Sequence, residues 1–427
     1  MGGASLSSEL SSPPPPSSCP LAPSSPFAGP SAKLKEPSST LSDLLRLCGQ
    51  PRAADFSTLV STLARPARGR GRPKTTADPR WRKVGEASYS EVFARGDKVV
   101  KIVPLRLASA AAAAAHAAEH DAEWPEESSV QDVGREIEIM RALHGIDGFV
   151  ELESAHIATG PYAPALLSAW DEYASSKAGG SENVRPSVLP PTAHYALLLL
   201  SHAGQDLEGV RLPNWRAAAA VFWQVVGALG RAERAREFEH RDLHWGNVLV
   251  SFSEPSSPDN ETTEPERTAA SFVASLRSAE KSGVRATIID VSLSRLLEPA
   301  ADPPLVLAYD FADESIFTGE GDAQFDVYRA MRTLTQGRWE AWHPRTNVLW
   351  LHYLLDKLLH AKGLRRPPGA RSAPATMSAL ARFRQAAQTD DDERAAYESL
   401  AAAAAQLARS LDAGGCGSAR ELLVWAC

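Results

Sequence analysis

An acidic residue and an amide stand five positions apart in the stretch from Glu239 to Leu249. Asp242 could accept the proton of an incoming hydroxyl group, and Asn247 could turn back to hold a metal ion on nucleotide phosphates. The apolar run that follows, Val248–Val250, predicts a short strand that anchors the loop. The spacing indicates phosphoryl transfer, although a His-Arg-Asp triplet by itself is also compatible with a surface turn.

A lysine lies inside a second apolar run. Lys98–Val103 predicts a buried strand, in which Lys101 has apolar neighbours on both sides. A buried ammonium group needs an anionic partner, and the α- and β-phosphates of ATP would supply one. We therefore predict that Lys101 binds the nucleotide, with Lys98 as the alternative.

Two acidic residues complete the predicted catalytic group. Residues 132–143 form an amphipathic helical pattern, and Glu136 on this helix is expected to pair with the lysine. Glu138 is the alternative. Asp290 ends a short apolar strand and is the expected second metal ligand beside the amide of the loop. The predicted cofactors are ATP and Mg²⁺.

A hairpin and a hinge form the predicted nucleotide pocket. Of the three glycines of a phosphate-binding loop only Gly85 remains, and small residues, Ala87 and Ser90, replace the others. The backbone can still approach the phosphates at these positions. A buried strand at 195–200 leads into the hinge. The residues expected to bind ATP, besides the lysine, are Val84, Gly85, Glu86, Ala87, Ser88, Tyr89, Ser90, Val92, Leu200, Ser201, His202 and Ala203.

The composition predicts a globular protein of the cell interior. Hydrophobic residues make up 44% of the 427 residues, which is enough apolar material for a core. The net charge of -7 argues against bulk coating of nucleic acid and permits a basic substrate. The four cysteines show no metal-binding spacing and are expected to be reduced. No apolar run reaches the ~18 residues of a membrane span, so we expect no membrane association.

A basic stretch at 65–74 precedes the predicted catalytic region. Its core, Arg70-Gly71-Arg72-Pro73, resembles an AT-hook, in which Arg70 and Arg72 would lie along the minor groove of A·T-rich DNA. A nuclear-import signal or a plain basic linker is the alternative. An AT-hook or a nuclear-import signal would locate the protein in the nucleus, near chromatin.

Several stretches together resemble the haspin kinases, a divergent family of eukaryotic protein kinases. The loop His240–Asn247 reads His-Arg-Asp-Leu-His-Trp-Gly-Asn, and Asp290-Val291-Ser292 is followed by Leu-Ser-Arg-Leu. Further matches are Ala169–Asp171, Phe317–Gly319, Gln324–Arg329 and Asn347–Leu354. The resemblance covers roughly residues 80–427. It departs from the family at Val291-Ser292, where the family has Tyr-Thr, and in the reduced glycine loop.

This resemblance implies an α+β fold of the bilobal eukaryotic protein-kinase type, with a small β-rich N-lobe and a mainly helical C-lobe. The resulting division has three parts. They are a disordered Ser/Pro-rich tail at 1–40, a cap helix and basic linker at 41–80, and a kinase domain at 81–427 with its N-lobe at 81–200 and its C-lobe at 205–427.

The resemblance also implies a function. The family phosphorylates the threonine in the N-terminal Ala-Arg-Thr-Lys of histone H3 during mitotic chromosome segregation, without prior phosphorylation of its own activation segment. By position, Asp313 matches an acid that binds the substrate arginine, and its usual second acid falls on Ser315. Asp206 and Glu208 match acids near the substrate lysine, and His244 is carried over as a further substrate-binding residue. The expected partners are the histone H3 tail and chromatin, and a monomer is expected.

Two other functions compete with this one. A catalytically weak pseudokinase would recruit partners to chromatin, and the substitutions at Ala87, Ser90 and Ser292 favour it. A small-molecule kinase would also carry a spaced aspartate and asparagine. The family-specific stretch 317–354 argues against the small-molecule kinase.

Overall fold

The computed structural model describes residues 33–34, 40–63, 80–87, 90–107, 124–177, 179–254, 268–370, 378–389, 391–411 and 415–426. Its strands are β1 Lys33–Leu34, β2 Ala54–Asp55, β3 Arg82–Ala87, β4 Ser90–Arg95, β5 Lys98–Arg106, β6 Ser128–Ser129, β7 Leu152–Thr159, β8 His194–Ser201, β9 Gln205–Asp206, β10 Val248–Phe252, β11 Val284–Ile288, β12 Arg295–Glu298 and β13 Leu305–Ala308. Its helices are α1 Leu41–Leu47, α2 Phe56–Leu63, α3 Val130–Ala142, α4 Pro164–Ser176, α5 Trp215–Arg236, α6 Ala269–Arg277, α7 Ala279–Ser282, α8 Ala323–Thr335, α9 Arg345–Asp356, α10 Ala379–Ala387, α11 Asp392–Leu411 and α12 Ala419–Ala426.

The smaller lobe is built on a seven-stranded sheet with the order β2-β7-β8-β5-β4-β3, and β6 pairs with β5. Side chains of β8 alternate between its two faces, as the two-residue period of a strand requires. Tyr195 and Leu197 join the core formed with α2 and α4, whereas Ala196 and Leu198 join the core formed with α3. Both faces of the sheet are therefore covered by helices.

The N-terminal part of the chain is more involved in this lobe than the sequence predicts. Helix α1 lies where the leucine pattern predicts a cap helix, and Leu44 is fully buried. Helix α2 was not predicted, and its Phe56 stacks on Tyr195 with ring centroids 4.6 Å apart. The lobe thus begins before residue 81. Lys33–Leu34 pairs in parallel with β13, inside the stretch predicted to be disordered.

The larger lobe is organised around α5. Asn214 begins this helix, because its side chain accepts a hydrogen bond from the Ala217 amide at 2.8 Å, and Glu237 ends it with a φ of 45°. Helices α11, α12 and α6 and strand β11 pack around it. In the parts of the chain that the structure describes, no helix is long and apolar enough to cross a membrane.

The pairing of β10 with β11 positions two predicted site residues. Strand β10 begins directly after Asn247 and strand β11 ends shortly before Asp290. Their antiparallel register pairs Val248 with Ile288, and the Ile289 amide donates to the Asn247 carbonyl at 3.0 Å. The ends of the two strands therefore bring Asn247 and Asp290 together at one edge of the sheet.

Candidate active site

Lys101 forms an ion pair with Glu136. Its neighbours Val100 and Ile102 are buried, so strand alternation points Lys101 toward α3. Its Nζ atom lies 2.7 Å from Glu136 Oε1 and 3.2 Å from Asp290 Oδ2. Burial opposes the charge of Lys101, but the two carboxylates raise its pKa above the ordinary lysine value. The structure therefore brings together three of the predicted residues.

Lys98, the alternative lysine, has a different partner and a more exposed side chain than Lys101. Lys98 pairs with Glu153 at 2.5 Å, and about a third of each side chain is exposed. Glu138, the alternative acid, is half-buried on α3 and is not the partner of Lys101. Between the two candidate lysines, only Lys101 contacts the acid at the end of β11.

His240 anchors the catalytic loop. The Asp242 amide donates to its Nδ1 atom at 3.2 Å, so Nε2 carries the proton and donates to the Ile289 carbonyl at 3.0 Å. Burial lowers the pKa of His240 to about 4, which keeps the imidazole neutral. Arg241 adopts a left-handed φ of 66° between the two anchored residues. These bonds fix the loop to the segment that carries Asp290.

The carboxylate of Asp242 is held by two side chains. Asn247 Nδ2 donates to Asp242 Oδ2 at 3.2 Å and to the Asp242 carbonyl at 2.8 Å. The hydroxyl of Tyr328, on α8, donates to Asp242 Oδ1. Burial raises the pKa of Asp242, whereas nearby His244 and the bond from Tyr328 lower it. Sequence reasoning missed Tyr328, although it lies in the stretch Gln324–Arg329 that carries the family resemblance.

Glu239 is a second residue that sequence reasoning missed. Its carboxylate accepts hydrogen bonds from the His343 amide at 2.7 Å, from Thr346 Oγ1 at 2.8 Å and from Arg241 Nε at 3.1 Å. Neither Glu239 nor Arg241 has any exposed side-chain surface. The Arg241 guanidinium also lies over the ring of Trp339, 5.6 Å from its centroid. The arginine that precedes Asp242 is thus neutralised inside the protein.

Asp290 and Asn247 fit a magnesium ion. Carboxylate and amide oxygens are the ligands that Mg²⁺ prefers. Burial opposes ionisation of Asp290, but the Lys101 charge and hydrogen bonds from Ser292 hold the pKa of this carboxyl below its ordinary value. Asn247 uses its amide nitrogen for Asp242, and no described residue donates to its side-chain oxygen. An anionic ligand and a neutral oxygen are therefore available at adjacent strand ends.

The hairpin of β3 and β4 is fastened to the small lobe through Glu86. Lys83 Nζ lies 2.8 Å from Glu86 Oε2 and 2.6 Å from Glu91 Oε2, with no exposed side-chain surface of its own. Lys177 and Ser181 donate to Glu86 at 2.6 Å each. Burial opposes its ionisation, but the bonds from Lys177, Lys83 and Ser181 lower the pKa of Glu86 to about 2. The carboxylate of Glu86 is therefore occupied within the lobe, and only its backbone is left to contact a nucleotide.

The other predicted nucleotide residues lie along the hairpin and the hinge. Gly85 pairs with Val92, and Ala87 pairs with Ser90. Val84 is exposed, whereas Leu200 is buried at the end of β8. Ser88 and Tyr89 lie outside the described residues, as do Arg70 and Arg72 of the basic stretch.

The hinge passes from Ser201 through His202 and Ala203 to Gly204. The His202 amide donates to the Asp97 carbonyl at 3.2 Å. Gly204 has a φ of 111°, and a Cβ there would lie 2.1 Å from the Val250 carbonyl oxygen. Only glycine fits this turn, so the hinge is held against β10.

The predicted substrate acids lie in two places. Asp313 is exposed, and its carboxylate accepts from the Ser315 amide at 2.8 Å, which caps the turn Glu314–Phe317. Asp206 and Glu208 lie near Lys362, whose ammonium donates to the backbone carbonyls of residues 207, 208 and 210 at 2.6 to 3.1 Å. Burial lowers the pKa of Lys362, and the two acids counteract this effect. His244 accepts a hydrogen bond from the Gly246 amide at 3.1 Å.

The fold and these contacts define the class of the protein. A sheet-rich lobe, a helical lobe and a lysine–glutamate pair beside an aspartate–asparagine loop are the features of a bilobal protein kinase. Residues 24–401 match the family model described as a haspin-like kinase domain. The chain belongs to the haspin family of serine/threonine protein kinases.

Three relatives illustrate the similarity. The haspin homologue hrk1 of Schizosaccharomyces pombe is 36% identical over 67% of this chain and 56% of its own length. The haspin homologue of Arabidopsis thaliana is 34% identical over 76% of this chain and 50% of its own length. Bos taurus haspin is 34% identical over 65% of this chain and 34% of its own length. The chain therefore spans between about a third and just over half of the length of each of these relatives.

Proposed function

We propose that the chain is an active kinase that transfers the γ-phosphate of ATP to the threonine of the N-terminal Ala-Arg-Thr-Lys of histone H3. The ion pairs that Lys101 forms with Glu136 and Asp290 carry the kinase part of this proposal. In an active protein kinase, the lysine–glutamate ion pair and the metal-binding aspartate lie together around the nucleotide phosphates. A pseudokinase with an open, unpaired lysine would not need them in this arrangement.

The residues divide the reaction among them. Lys101 binds and orients the α- and β-phosphates, while Glu136 holds its ammonium in place. Asp242 accepts the proton of the threonine hydroxyl, and Tyr328 and Asn247 orient its carboxylate. Asp290 and Asn247 would hold Mg²⁺, which supplies charge neutralisation at the phosphates. The backbone of the hinge would bind the adenine.

No phosphorylation of the chain itself is required in this proposal. The segment after Asp290 is held by packing, since Phe311 lies on Trp339 with ring centroids 4.3 Å apart. Arg295 and Glu239 exchange two backbone hydrogen bonds of 2.9 Å. Because Arg241 is already paired with Glu239, it needs no phosphate partner. The segment is therefore ordered by contacts that are present without modification.

Charge supports the choice of a basic peptide. Carboxylates form charge-assisted hydrogen bonds with arginine and lysine. In this proposal Asp313 receives the arginine before the acceptor threonine, and Asp206 and Glu208 receive the lysine after it. The kinase would act as a monomer on chromosomes in the nucleus during mitosis. Arg70 and Arg72 would add contacts to A·T-rich DNA.

The test is incubation with a peptide that begins Ala-Arg-Thr-Lys, Mg²⁺ and labelled ATP. We expect phosphate on the threonine, none on a peptide with alanine in its place, and none with the Asp242→Asn variant. Phosphatase-treated protein should keep its activity. ATP binding without any turnover would instead favour the pseudokinase that recruits partners to chromatin.

A further inference from the structure

A cavity of about 240 Å³ lies outside the proposed active site. It forms where the loop at Asp147 and Gly148 meets α5, β11 and the start of α7. Because Arg231, Arg277 and Arg285 line it, we call it the arginine pocket. None of the residues proposed for catalysis or nucleotide binding lines it.

The positive charges of this pocket are incompletely paired. Arg231 Nη2 donates to the backbone carbonyl of Asp147 at 2.7 Å and lies 3.5 Å from the carboxylate oxygen Oδ2 of the same residue. Arg285 Nη1 lies 3.8 Å from the other carboxylate oxygen. One exposed acid thus serves two guanidiniums. Within the part of the chain that the structure describes, Arg277 has no hydrogen-bond or ion-pair partner, and its Nε atom is buried.

Arg231 and Arg277 converge on one point of α5. A Cβ placed on Gly227 would lie 3.1 Å from Arg277 Nε and 3.4 Å from Arg231 Nη1. Burial and the neighbouring Arg277 lower the pKa of Arg231, against the attraction of Asp147. The Nε atom of Arg231 is also buried without a partner among the described residues. Like charges in a partly buried place are unfavourable unless an anion joins them.

We propose that the arginine pocket binds the phosphate group of a phosphorylated serine or threonine on a protein segment. Guanidinium groups match phosphate oxygens with paired N–H donors, and a phosphate monoester brings nearly two negative charges. The lining contains three arginines and two acids, Asp147 and the exposed Glu280, so one positive charge remains in excess. The described lining contains no aromatic or large apolar side chain, so the pocket offers no apolar surface for the base of a nucleotide.

Calorimetry on the full chain tests this proposal. The chain carries Asp242→Asn to prevent turnover, so the result does not depend on the proposed kinase activity. The probes are the blocked peptide Gly-Gly-phosphoserine-Gly-Gly, its unphosphorylated form and inorganic phosphate. We expect the phosphopeptide to bind, inorganic phosphate to compete with it, and the unphosphorylated peptide not to bind. Rising salt should weaken the binding.

Substitutions locate the binding. Arg277→Gln should weaken phosphopeptide affinity by about tenfold or more, the loss expected for one charge-assisted hydrogen bond. Arg52→Gln, at an exposed arginine outside the pocket, should leave the affinity unchanged. If circular dichroism shows that Arg277→Gln is unfolded, Arg285→Gln replaces it, because that side chain is 59% exposed.

Three results would overturn the proposal. The first is equal affinity of the parent and the pocket variant that folds. The second is equal binding of the phosphorylated and unphosphorylated peptides. The third is displacement of the phosphopeptide by adenosine, because adenosine carries no phosphate group and such competition would move the binding to the kinase cleft.

Discussion

Removing the hydroxyl of Tyr328 tests how the structure prepares Asp242 for its proposed role as base. The hydroxyl donates to Asp242 Oδ1, and the ring packs edge-on against Trp350 with centroids 5.3 Å apart. Phenylalanine keeps this packing and loses only the hydrogen bond. The variant Tyr328→Phe therefore isolates one contact of the proposed base.

The size and direction of the effect follow from the contact. Burial raises the pKa of Asp242, and the bond from Tyr328 opposes this rise. A hydrogen bond to a charged group contributes about 1.5–3 kcal/mol. Since one pKa unit corresponds to about 1.4 kcal/mol, the pKa of Asp242 should rise by about one to two units in the variant. A base works only when deprotonated, so activity should be lost at low pH and recover as pH rises.

The assay is kcat/KM on the Ala-Arg-Thr-Lys peptide from acid to mildly alkaline pH. We expect the acid limb to move upward by about one to two units. Tyr195→Phe is the matched control, because the Tyr195 hydroxyl is buried without a hydrogen-bond partner in the described residues. An unmoved acid limb would refute the reasoning. Faster turnover at every pH would mean that Tyr328 competes with the substrate hydroxyl for the carboxylate.

The remaining predictions concern the loop, its support, the substrate acid and the basic stretch. Asp242→Asn should abolish transfer while calorimetry still detects ATP binding; turnover within about tenfold of the parent would exclude Asp242 as the base. Arg241→Gln should lower the free energy of unfolding in urea by about 3–5 kcal/mol, because it leaves Glu239 buried without its cation. Asp313→Ala should reduce kcat/KM by only about two- to fivefold, since the acid is exposed, and a peptide with alanine for arginine should show no further loss. Deleting residues 65–74 should weaken retention on DNA or nuclear accumulation without changing peptide turnover, and unchanged localisation and retention would make this stretch a linker.

Local patterns were enough to predict which strand carries Lys101 and which strands adjoin Asn247 and Asp290. The apolar run Lys98–Val103 lies in the buried strand β5, and Lys101 within it pairs with Glu136, as the sequence predicts. The apolar runs around Asn247 and Asp290 become β10 and β11, and their register brings the two residues together. Each of these inferences depends on residues that are close in sequence.

Contacts between distant residues could not be predicted in this way. Tyr328 and Asp242 are 86 positions apart, and a tyrosine on an amphipathic helix is indistinguishable from core packing. Glu239 and Thr346 are 107 positions apart. Glu86 matched a phosphate-binding loop by position, but its carboxylate pairs with Lys83 on the same strand and with Lys177 at the end of α4. The partner of a charged side chain depends on the tertiary structure.

The buried pair of Arg241 and Glu239 also limits how this kinase could be regulated. A phosphate that recruited Arg241 would have to separate it from Glu239, and an uncompensated buried charge costs about 3–5 kcal/mol. A new charge-assisted hydrogen bond returns about 1.5–3 kcal/mol, which does not offset that cost. Trp339 adds to the cost, since Arg241 and Phe311 pack on its ring at 5.6 and 4.3 Å. Phosphorylation of the segment after Asp290 is therefore a poor switch for the catalytic loop, and any control by phosphate must act at another surface.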